Sequence, residues 1–110
     1  MVHVCKEVVA NLAKAGIRAT LVDAYSFPLD CRPILKAAAA TKNRILVVED
    51  NYVGGLADAV ALAAAETGEI RVHGMTCKRI PKSAKTPAEV LAYVGLSPSD
   101  IETEAKRLIG

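Results

Sequence analysis

The chain has 110 residues, a length that suits one domain closed around a single core. Apolar residues make up 52% of it, which excludes a disordered tract, and aromatics only 4%, so the core is expected to consist of many small contacts with few large anchors. A net charge of +2 is too small to point to a nucleic acid or a membrane surface as partner.

Three cysteines, Cys5, Cys31 and Cys77, form neither a CxxC pair nor a metal-ligand spacing. An odd count without a framework is expected of reduced thiols in the cytoplasm. Lys6 and Glu7 interrupt the N-terminal apolar run, unlike a signal peptide. The other apolar runs are too short to span a bilayer.

Taken in chain order, Val4, Val8, Val9, Leu12 and Ala13 recur at helical spacing, and Gly16 follows as a C-terminal cap. His3 to Ala15 is therefore read as a helix. Arg18 to Asp23 is a β-type run, and Ala24 to Leu29 a loop. Asp30 is the expected N-cap of a helix from Cys31 to about Thr41, with Pro33 tolerated in its first turn. Asn43 is a turn residue. Arg44 to Glu49 contains the unbroken run Ile45-Leu46-Val47-Val48, the pattern of a parallel strand buried on both faces. Leu56 to Glu66 is a helix, and Ile70 to His73, extending toward Met75, is a third strand. A basic loop from Thr76 to Lys85 leads to Thr86-Pro87-Ala88-Glu89, a capping box with Pro at the first helical position. That helix stops at Gly95, and Ser97-Pro98-Ser99-Asp100 opens the last one, to about Leu108. This order predicts one domain over residues 1–110, a three-layer α/β/α Rossmann-like sheet, mostly parallel.

Few residues suggest chemistry. Glu49 and Asp50 stand together at a strand end, where ligands and partner domains gather in open α/β sheets. Alternation sends adjacent side chains to opposite faces, so they are a poor acid/base pair with one another. One of them faces a cleft or a subunit interface, or else Glu49 or Asp50 caps the following helix or stays solvated. Gly54-Gly55 before a helix is either an anion cradle or a tight turn needing positive φ or a close helix–sheet approach. Lys78, Arg79, Lys82, Ser83 and Lys85 form a basic cluster suited to a phosphate or a partner's acids, or to a solvated loop. Tyr52 is the natural interface anchor in its loop. Cys77 sits beside Lys78 and Arg79, which favour a thiolate, but no histidine adjoins it in sequence. His3 and His73 are isolated and are expected to be surface or packed side chains.

The order of these segments resembles the C-terminal domain of the transketolase family. The resemblance rests on Val48-Glu49-Asp50, Tyr52, Gly54-Gly55 and the Ala-rich helix after them. Asp23-Ala24-Tyr25-Ser26-Phe27-Pro28-Leu29-Asp30 and Arg79-Ile80-Pro81-Lys82-Ser83 carry it further, and it covers roughly Val2 to Ile109. Related thiamine-diphosphate enzymes share the domain, namely 2-oxo acid dehydrogenase β subunits and deoxyxylulose phosphate synthases. The Arg79–Ser83 segment favours transketolase among them.

Members of this family place another strand before the first helix. Here only Met1-Val2 stands for its end, so the usual first strand is expected to be missing and an unpaired sheet edge to favour association. The resemblance implies transfer of a two-carbon ketol unit between a ketose phosphate and an aldose phosphate, in the pentose phosphate pathway. It implies thiamine diphosphate and Mg²⁺ or Ca²⁺ in the whole enzyme, held by preceding domains. The family's metal-binding GDG…N motif is absent from this sequence. The expectation is therefore a non-catalytic domain or fragment that binds no cofactor, packs on the remaining domains or subunit, and supports a homodimer. A self-standing anion-binding or regulatory module, using Gly54-Gly55 and the basic loop, is the alternative from a different class.

Overall fold

A computed structural model describes residues 2–22, 31–49, 55–76 and 87–109. The elements are α1 (Val2–Lys14), α2 (Arg32–Ala39), β1 (Arg44–Val48), α3 (Gly55–Thr67), β2 (Arg71–Met75), α4 (Pro87–Val94) and α5 (Pro98–Ile109). β1 and β2 pair in parallel, with Arg44 opposite Arg71 and Val48 opposite Met75. The connection between them runs through α3, as a parallel crossover requires.

The strands divide the helices into two layers, because successive side chains leave a strand on opposite faces. On one face, Leu46, Val48 and Met75 meet Val8 and Leu12 of α1, Val94 of α4, Ile101 of α5, and Leu96. On the other, Ile45, Val47 and Val72 meet Ile34, Leu35 and Ala38 of α2 and Leu56, Ala57 and Val60 of α3. This is the α/β/α arrangement expected from the order of elements. The first layer is also tied by polar contacts. Asn11 Nδ2 donates to Glu102 Oε1 at 2.6 Å, joining α1 to α5, and Arg44 Nε donates to the Leu108 carbonyl at 2.8 Å, joining β1 to the end of α5.

Local sequence explains the boundaries. Gly16 takes φ +81°, a conformation that costs a glycine least. The following Ile17 N–H reaches back to the Leu12 carbonyl at 2.9 Å, closing α1 with the Gly cap read from the sequence. At the start of α5, the Asp100 N–H donates to Ser97 Oγ, while Ser97 N–H donates to Asp100 Oδ2 at 3.0 Å, a reciprocal capping box. Asn43 takes φ 57° in the turn before β1.

One expectation needs correction, and another falls outside the described residues. The residue flanking α2 is Cys31, which makes no side-chain cap hydrogen bond; the expected cap Asp30 lies outside the described residues, as does Thr86. The run Arg18 to Val22 is not a strand, although its burial alternates, Ala19 and Leu21 being half-buried between exposed neighbours. Arg71 N–H donates to Asn43 and Glu49 N–H to Met75, so the odd-numbered residues of β1 turn their backbone groups toward β2. Arg44, Leu46 and Val48 therefore turn theirs toward the opposite edge. A further strand would have to join there or at the outer edge of β2, and among the described residues the sheet contains β1 and β2 alone. Ala19 gains burial against the core without gaining a ladder.

Leu96 is 0% exposed and Leu62, on the outer side of α3, is 65% exposed. Leu96→Ala is expected to cost about 2–5 kcal/mol in chemical denaturation, and Leu62→Ala to stay within about 0.5 kcal/mol of the parent.

Candidate functional site

Glu49 follows β1 and continues the ladder, its N–H donating to the Met75 carbonyl at 2.9 Å. This fixes the residue on the α3 side of the sheet, where it is 7% exposed. Its carboxylate accepts the Ala57 N–H at 2.8 Å through Oε1 and the Leu56 N–H at 3.4 Å through Oε2. The first N–H groups of a helix have no partner within the helix, and the helix dipole favours a negative charge there. A buried carboxylate is costly unless such donors satisfy it. Glu49 is thus the N-terminal cap of α3, delivered from the end of the adjacent strand. Of the two readings that the sequence allowed, the capping one describes its contacts.

Gly55 is the first residue of α3. Its φ is not positive, and a Cβ built there would meet no atom within 4 Å. Neither reason anticipated for the Gly-Gly pair applies to Gly55. The close approach lies elsewhere, at Gly74 in β2. A Cβ on Gly74 would stand 2.9 Å from the Ala57 Cβ, closer than real methyl groups come. The first turn of α3 therefore rests on the bare backbone of β2. The signal for this was a glycine in the middle of a strand, Arg71-Val72-His73-Gly74-Met75, which marks a close backbone approach.

The remaining sequence candidates, Asp50, Tyr52, Gly54, Arg79, Lys82, Ser83 and Lys85, lie outside the described residues, as do Cys77 and Lys78. His3 is exposed on α1. His73 is not isolated: its Nε2 lies 3.2 Å from Glu104 Oε2, a partner on a different element that sequence spacing does not reveal. Burial raises the Cys5 thiol above its ordinary range, which disfavours the reactive thiolate. Among the described residues, no three His, Cys, Asp or Glu side chains gather in a way that would hold a metal ion. No helix among the described residues is long and apolar enough to cross a membrane.

Comparison with known proteins gives a consistent result. The family model described as "Transketolase, C-terminal domain" matches residues 1–101. The chain is 39% identical over 100 residues to a Homo sapiens protein named Transketolase, covering 89% of this chain and 16% of that protein. It is 37% identical over 101 residues to the Mus musculus Transketolase, covering 90% and 16%. It is 34% identical over 101 residues to the Homo sapiens Transketolase-like protein 2, again covering 90% and 16%.

Removing the Glu49 cap leaves part-buried N–H groups without this acceptor. Glu49→Ala is expected to lower stability by about 1–3 kcal/mol, and Glu49→Gln by less, as read from denaturation midpoints. Gly74→Ala is expected to cost about 1–3 kcal/mol by overpacking. Combining it with Ala57→Gly should recover part of that loss, and simple additivity of the two variants would refute the contact.

Proposed function

The chain belongs to the transketolase C-terminal domain family, and on that footing we propose that it is the non-catalytic C-terminal domain of a transketolase. The observation that carries this reading is the family match over residues 1–101, nearly the whole chain. The relatives' names favour transketolase over a 2-oxo acid dehydrogenase β subunit or a deoxyxylulose phosphate synthase. The chain spans 16% of the length of these relatives. Ketol transfer between sugar phosphates, in this proposal, is the work of the whole enzyme, with thiamine diphosphate and its divalent cation held by the other domains.

The non-catalytic role is supported by what the acidic residue at the β1 end does. A carboxylate whose two oxygens receive backbone N–H groups is engaged in holding a helix. The domain's contribution is then mechanical. It offers a preformed three-layer body against which neighbouring domains pack, and so supports the dimer in which the active sites form.

Two measurements test this. Calorimetric titration of the isolated chain with thiamine diphosphate and Mg²⁺ is expected to show no saturable heat, and the chain alone no ketol transfer; tight binding or turnover would overturn the proposal. Co-expression with a transketolase truncated before its own C-terminal domain is expected to yield a stable complex. Failure to associate would remove the packing role.

A further inference from the structure

A cleft of about 300 Å³ opens between β2 and the last turns of α5, lined by Arg71, Val72, His73, Glu104, Arg107 and Leu108. Glu104 organises it. The single atom Oε2 accepts from Arg107 Nη2 at 2.6 Å and lies 3.2 Å from His73 Nε2. One nitrogen of the Arg107 fork is thereby fixed, and its remaining N–H groups stay available. Arg71 stands opposite Arg44 in the ladder, and like charges placed side by side across a sheet repel. Arg44 relieves this by turning to the Leu108 carbonyl at the negative end of the α5 dipole. The Arg71 guanidinium has no ion-pair partner among the described residues.

The cleft therefore holds two guanidiniums against one carboxylate, with a third guanidinium beside it. We propose that it binds a phosphoryl group between Arg71 and Arg107, with Glu104 as the positioning residue and His73 as a third contact. The planar guanidinium fork matches phosphate oxygens, and a dianion gains more than a monocarboxylate from the surplus of positive charge. None of these residues enters the transketolase reading above, so the two proposals stand or fall separately.

The test is titration of the ¹⁵N-labelled full chain with inorganic phosphate at fixed pH, with ionic strength held constant by NaCl. Saturable shifts confined to residues 71–73 and 104–108 are expected. The Arg71→Gln, Arg107→Gln double variant should bind at least tenfold more weakly with an unchanged far-UV spectrum. Arg71→Lys, which keeps the charge but loses the fork, should weaken binding severalfold and serves if the double variant misfolds. Methyl phosphate provides the second arm: equal affinity assigns the site to phosphomonoesters, and loss of binding assigns it to the free ion. Shifts that rise without saturation, that NaCl alone reproduces, or that persist at parent affinity in the variants would overturn the proposal.

Discussion

The alternation of side chains along β1 is the constraint on which the rest of the molecule depends. Five consecutive residues, Arg44 to Val48, send Leu46 and Val48 to one side and Ile45 and Val47 to the other. A strand apolar on both faces is stable only when both are covered, so helices must lie on each side. The two clusters that result lie on opposite sides of this thin sheet. A slip of one residue in the β1–β2 register would exchange the faces of one strand against the other and turn its arginine, Arg44 or Arg71, to the opposite face.

Small side chains make this arrangement workable. With aromatics at 4% of the sequence, the core has few bulky groups to fill space between the layers. The alternative is to bring the layers closer. Gly74 against Ala57 does this on the α3 side, and Ala38 does it for α2, buried against the same cluster. Dispersion contacts are short-ranged, so a core of small residues gains its stability from close packing.

Most of the architecture was legible because the governing signals are local. The unbroken apolar run of β1, the Gly16 cap and the Ser97–Asp100 box each act within a few residues of the chain, and each stands where the sequence placed it. Arg18 to Val22 misled for a physical reason. Alternating burial requires only a surface to lie on, whereas a strand requires ladder hydrogen bonds to a neighbour, and this run pairs with neither β1 nor β2. The candidate site was less legible. Glu49 was singled out, but its role depends on where Leu56 and Ala57 lie in space. His73 with Glu104 and Gly74 with Ala57 are encounters between separate elements, set by how helices settle on the sheet.

The cap on α3 has a consequence for chain length. Most helix caps are adjacent to the helix they serve, so any change in the preceding loop disturbs them. Here the acceptor sits just after β1, on Glu49, and the donors sit on α3. The carboxylate ties the end of β1 to the first turn of α3. The closure cost of a flexible loop grows only logarithmically with its length. The junction is therefore a place where insertions can accumulate while strand and helix keep their relation.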